Sequence, residues 1–96
     1  MLRPAPTAKY ARDLKRLRKR HVDIGPLDTV MQLILDNTVE SIEELKRRHS
    51  MHTLSGEWRG SNECHVATAG DWLLIWCTTD ELAIFQRAGT HDELFG

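Results

Sequence analysis

The segment that most restricts the fold is residues 72–78, WLLIWCT, an apolar β-type run with no clean in–out alternation. A half-solvated strand alternates, so a run of this kind reads as a strand covered on both faces. A turn at Asp80 and Glu81 leads to a further strand, residues 82–87 (LAIFQR). On the other side, Trp58-Arg59-Gly60 and Cys64-His65-Val66 read as one bulged strand, joined to the central run by a loop at 67–70.

Upstream of Ser55-Gly56 the period is helical. Residues 2–6 form a short first strand, confined to a sheet edge by Pro4 and Pro6, which lack the N–H a central strand would need. Thr7 is placed to cap a helix over 8–21, with Tyr10, Leu14, Leu17 and His21 as its packing stripe and Arg12, Lys15, Arg16 and Lys19 opposite. Gly25-Pro26 breaks the chain, and Pro26 suits the first turn of a second helix that buries Leu27, Val30, Met31 and Ile34 and ends near Asn37. Ser41 and Glu44 have capping-box spacing for a third helix over 42–48, where Glu43 and Arg47, and Glu44 and Arg48, stand one turn apart. Helices followed by a meander predict an α+β fold: an antiparallel sheet with N-terminal helices packed on it, the 96 residues forming one domain.

Composition narrows the function classes. With 41% hydrophobic and 28% charged residues, this is the profile of an ordinary globular protein. No apolar run approaches the ~20 residues a membrane span requires. The first ten residues hold no apolar signal-type core, so the expected compartment is the cytoplasm. The two cysteines, Cys64 and Cys77, do not make a disulfide framework. Net charge is −1, yet residues 1–25 carry eight Lys or Arg against Asp13 and Asp23, a local balance of +6. Such a segment serves either as a surface for a polyanion or acidic partner, or as a solvated helix face.

The histidines are unevenly placed. His49 and His52 precede the sheet, His65 ends a strand and His91 follows the last one, in positions where a rigid sheet presents reactive groups. Metal-free RNA cleavage needs a base for the ribose 2′-OH, an acid for the departing 5′ oxygen and a cation for the phosphorane. Histidine, with an unperturbed pKa of ~6.5, can be either acid or base, and Arg87 supplies a planar phosphate-binding cation. The bland readings are a surface His91, an Arg87 paired with Asp71 or Asp92, a His21 packed in the helix stripe, a solvated or helix-terminal His49, and Trp58 and Trp76 in the core. Trp72 divides between core and site, and Phe95 between a sheet-edge plug and a base-stacking ring. A zinc set of Cys64, Cys77, His65 and His91 lacks the short CxxC or HxxxH spacing of such sites.

The blocks His52-Thr-Leu-Ser-Gly-Glu-Trp-Arg-Gly, Cys-His65-Val, Asp71-Trp-Leu-Leu-Ile-Trp and Arg87-Ala-Gly-Thr-His91-Asp-Glu-Leu-Phe95-Gly, in this order, resemble the YafQ branch of the RelE toxins. The resemblance covers 52–96 closely, and the basic first helix is similar in kind. It implies a ribosome-dependent, metal-independent endoribonuclease needing no cofactor, which cuts mRNA in the ribosomal A site. It also implies restraint by a cognate RelB/DinJ-like antitoxin, through which alone operator DNA would be reached. By position it makes His91, His52, His65 and Asp71 the acid–base cluster, Arg87 the phosphate-binding arginine, Phe95 the base-contacting aromatic and Trp72 a site residue beside Asp71. Thr53 stands where the family usually has proline, and the loop before Asp71 is longer than usual. The competing class is a non-catalytic nucleic-acid-binding module built on the basic helix.

Overall fold

The computed structural model describes residues 1–67 and 70–96, so part of the loop expected at 67–70 lies outside the described residues. Strand β1 (Arg3–Pro6) is followed by helices α1 (Ala8–Lys19), α2 (Gly25–Asp36) and α3 (Val39–His49). Then come β2 (His52–Thr53), a 3-10 turn (Gly56–Trp58), β3 (Asn62–His65), β4 (Leu73–Thr78), β5 (Leu82–Gly89) and α4 (His91–Phe95). The five strands form one sheet in the order β1-β5-β4-β3-β2. The α+β class holds, with the sheet mixed: β1 runs parallel to β5, and the other pairs are antiparallel.

β1 is an edge strand in spite of its two prolines. Its ladder runs through Arg3 and Thr7, whose N–H groups donate to Glu81 and Phe85 at 2.9 and 3.0 Å, while Pro4 and Pro6 alternate to the side that needs no donor. The Thr7 hydroxyl accepts the Tyr10 N–H at 3.1 Å and donates to the Gln86 carbonyl at 3.0 Å, tying the start of α1 to β5. α1 stops at Lys19, two residues short of the expected 21. His21 takes the left-handed turn (φ 58°), and Val22 N–H reaches back to Leu17 at 3.1 Å, as in a Schellman closure. His21 is therefore exposed rather than packed in the stripe.

α3 begins earlier than Ser41 suggests. Asn37 turns left-handed at the end of α2, and Thr38 then caps α3. Ser41 is the third residue of the box, and its hydroxyl accepts the Thr38 N–H at 2.9 Å, the part expected of Glu44. The segment 58–60 is a turn, not a strand, because Gly56 and Gly60 take positive φ (67° and 90°) that extended backbone cannot use. The strand begins at Asn62, and its missing partner is β2, where His52 faces Glu63.

β4 is covered on both faces, as its composition requires. Leu74 and Trp76 enter the core under the helices with Tyr10, Leu27, Val30, Ile34, Leu45 and Phe85. Leu73 and Ile75 point the other way, into a smaller cluster with Leu94, Leu54 and Trp58. Trp58 thus belongs to this second face. α4, which has no counterpart in the sequence reading, supplies Leu94. It starts at Thr90, whose hydroxyl accepts from Glu93 N–H while Glu93 Oε1 accepts from Thr90 N–H at 2.9 Å.

Glu93 also joins α4 to α1: its Oε2 lies 2.6 Å from Arg20 Nη2 and 2.8 Å from Arg16 Nε. The Thr90 N–H and these arginines hold its carboxyl down at about 2, against the pull of partial burial. A depressed carboxylate stabilises the fold fully above its unfolded value of ~4.3, and that contribution is lost as pH falls toward the folded value. Glu93→Gln should therefore lower the melting temperature by a few degrees at pH 7, because the amide keeps the Thr90 bond but loses the charge that Arg16 and Arg20 engage, a loss of ~1 kcal/mol. The variant's melting curve should also be flatter than the parent's between pH 4.5 and 2. Parallel pH dependences would show that Glu93 contributes nothing through its charge.

Candidate active site

The face of the sheet away from α1–α3 carries most of the residues singled out from sequence. Cys64 packs under the helices, so its neighbours Glu63 and His65 alternate to the open face, and His52 joins them through its pairing with Glu63. One row across the sheet runs His52, Glu63, Ile75, Arg87, and the next runs His65, Leu73, Gly89. The floor is thus Leu73 and Ile75, with histidines on one side and Arg87 on the other. α4 closes one end with His91 and Phe95.

A bulge decides that Arg87 reaches this face. Ile75 pairs with Arg87 but Trp76 with Phe85, leaving Gln86 as the extra residue. Phe85 and Ala88 both enter the helix-side core although three residues apart, so Gln86 and Arg87 both turn outward. The Ser61 hydroxyl donates to Gln86 Oε1 at 2.8 Å and holds the bulge against the segment before β3.

His91 and Asp71, 20 residues apart in the chain, are brought together by one carboxylate. The His91 N–H donates to Asp71 Oδ1 and Oδ2 at 3.0 and 3.1 Å, and the ring Nδ1 lies 3.2 Å from Oδ1. A carboxylate only accepts, so Nδ1 carries the proton, and Nε2 is the ring nitrogen that Asp71 leaves free. The His91 ring is 5.8 Å from Phe95, which is 45% exposed and meets Trp58 edge-on at 6.4 Å. Phe95 thus packs between Trp58 and His91 at the α4 end of this face, with nearly half of its surface open.

His52 has Nδ1 2.9 Å from the Ser50 carbonyl and Nε2 3.4 Å from Glu63 Oε1. Glu63 is nearly buried, and its Oε2 has no hydrogen-bond partner among the described residues. His65 is half-buried, and its carbonyl accepts from His49 Nδ1 at 2.8 Å. His49 is thereby a clamp between α3 and β3. Trp72 stands apart from the set: it packs against the helix-side core, with its indole N–H buried and unpartnered among the described residues. It lines a cavity of about 180 Å³ with Asp71, Thr90 and Glu93.

Arg87 pairs with neither Asp71 nor Asp92. Its Nε and Nη2 donate to Asp13 at 2.8 and 3.2 Å, and this partner raises the guanidinium further above its ordinary value. Lys9, Arg12, Asp13, Arg16 and Arg87 line a cleft of about 260 Å³. A groove of about 640 Å³ between Pro26, Thr29, Arg47, Arg48 and His49 holds none of the predicted site residues. Cys64 is buried under the helices, and burial, then Glu63, pushes its thiol up to about 12. Cys77 alternates to the opposite face, so the two cysteines do not converge.

Sequence reasoning passed over Asp13, Glu63 and Gln86. Asp13 did carry a signal: it lies three residues after Tyr10 and four before Leu17, inside the buried stripe, where a carboxylate needs a cation.

Residues 2–96 match the family model for the bacterial toxin of type II toxin–antitoxin systems, YafQ. The mRNA interferase toxin YafQ of Escherichia coli K12 is 39% identical over 90 residues, spanning 94% of this chain and 91% of that protein. The crystal structure of YafQ from E. coli BL21(DE3) superposes with a TM-score of 0.85 at 33% identity, covering all of both chains. That of the E. coli DinJ–YafQ toxin–antitoxin complex gives 0.83 at 37% identity, covering 99% of this chain and 98% of that one. Matched to the family model over residues 2–96 and 39% identical to a curated relative over most of both chains, the chain belongs to the YafQ family of type II toxin–antitoxin toxins.

Proposed function

We propose that the protein is an endoribonuclease toxin that cuts mRNA in the ribosomal A site and is held inactive in the cytoplasm by a cognate DinJ-like antitoxin, which alone would link it to operator DNA. The observation that carries this reading is the His91–Asp71 pair: the carboxylate holds the ring through Nδ1 and the backbone N–H and leaves Nε2 free of it, ready to exchange a proton. The mechanism follows from what those atoms can do. One of His91, His52, His65 and Asp71 takes the proton of the ribose 2′-OH, which attacks the adjacent phosphorus. Another gives a proton to the departing 5′ oxygen, and His91 is the leading candidate for one of these roles. Arg87 stabilises the phosphorane with its remaining N–H groups, and Phe95 stacks on a base. No metal is needed for any of these steps.

His91→Ala should lower the rate of cleavage on ribosomes by ~10²–10⁴. Its melting temperature should change little, because the bonds to Asp71 made by the backbone N–H survive. Wild-type cleavage by the folded variant would overturn the assignment. The products should carry a 2′,3′-cyclic phosphate (or 3′-phosphate) and a 5′-hydroxyl, and should form in the presence of a chelator once ribosome integrity is controlled. Enzyme-made 5′-phosphate ends would instead require a different, metal-dependent attack.

For the antitoxin, charge on α1 should speed encounter with an acidic segment that folds on binding. Arg16 is engaged by Asp13 and Glu93, so the informative positions are the exposed Arg12, Lys15 and Lys19. Reversing these three charges should slow association and weaken its salt dependence. An unchanged association rate would place the antitoxin's acidic contact elsewhere.

A further inference from the structure

We infer that Asp13 is a positioning residue for cleavage: it fixes the Arg87 guanidinium side-on, so that the opposite edge is presented to the scissile phosphate. The inference rests on the reading of Arg87 as the phosphate-binding cation. Asp13 is 2% exposed and lies on the face of α1 that should be apolar. A carboxylate there is costly unless its lone pairs are filled. Four donors fill them: Oδ2 accepts Arg87 Nε at 2.8 Å and the Ala88 N–H at 3.0 Å, and Oδ1 accepts Arg87 Nη2 at 3.2 Å and Arg16 Nη2 at 3.0 Å. Burial works against the charge, but Arg87, Ala88 and Arg16 together outweigh it and hold the carboxyl below its usual range.

The geometry of the fork gives this joint its consequence. Asp13 takes one edge of the guanidinium, Nε and one Nη2 hydrogen, leaving the two Nη1 hydrogens and the other Nη2 hydrogen on the far edge. That edge suits paired hydrogen bonds to phosphate oxygens. The same carboxylate grips the Ala88 N–H, so the backbone just past the bulge and the side chain of Arg87 are fixed together. Arg87 is only 19% exposed, and the entropy of ordering its long side chain is spent on folding, before substrate arrives. Lys9, Arg12 and Arg16 share the cleft, so one carboxylate leaves it net positive.

Asp13→Asn keeps the shape and one acceptor but loses the charge. Folded Asp13→Asn should cleave ribosome-bound mRNA with kcat reduced ~10- to 100-fold and KM little changed, the loss expected of a misplaced group. Arg87→Ala should be at least as slow, and the double variant no slower than Arg87→Ala, since the two act as one unit. Nuclear magnetic resonance of the parent protein gives a measurement that no folding defect can spoil. The Arg87 Nε–H resonance should be resolved and exchange slowly without substrate, unlike those of Arg12 and Arg18. Wild-type kcat in folded Asp13→Asn beside an inactive Arg87→Ala, or an Arg87 resonance averaged like the surface arginines, would overturn the inference. A wild-type rate in Arg87→Ala would instead remove the reading of Arg87 on which it rests.

Discussion

The first helix meets the sheet through a charge as well as through apolar contact. Beyond Phe85, where β1 ends, the outer edge of β5 has no strand beside it, and α1 takes over that edge. An open strand edge leaves donors that must be satisfied, and Asp13 accepts the one at Ala88 while binding Arg87 and Arg16. Arg16 and Arg20 then reach Glu93, so the joint extends to α4. Remove the Asp13 carboxylate and β5 loses an edge partner, Arg87 its orientation, and Arg16 one of the two carboxylates that hold it.

The two faces of the sheet are unequal by construction. The helix face holds the large core, to which β3, β4 and β5 contribute Cys64, Leu74, Trp76, Ala83, Phe85 and Ala88. Among the described residues, the buried apolar cluster of the other face is Leu73, Ile75 and Leu94, too small to cover the sheet, so polar side chains remain around it. The bulge at Gln86 works within this asymmetry. Without it, strict alternation from Phe85 would place Arg87 under the helices, where Trp76 and Tyr10 leave no room for a guanidinium. A single extra residue therefore moves a cation from the core side to the open side.

Much of the fold was legible because local rules and tertiary needs agree: the cap at Thr7, the break at Gly25-Pro26, the doubly covered β4 and the edge character of β1. The differences fall where two local signals compete. Thr38 and Ser41 can each begin α3, and the left-handed Asn37 decides for Thr38. Arg59 and its neighbours resemble a strand, and flanking glycines with positive φ forbid one. α4 is five residues long, too short to show a helical period, and is held by its capping box and by Leu94.

The sequence by itself determined the α+β class, the basic character of α1, the polar residues available for chemistry and, through the closing Arg87 to Phe95 block, the family resemblance. Only the tertiary structure decided which of those polar residues meet. Asp71 finds His91, Glu63 finds His52, and Asp13 rather than Asp71 or Asp92 finds Arg87. The physical reason is that strand pairing and a bulge select partners far apart in the chain, and no local periodicity records which edge or face a distant residue will share.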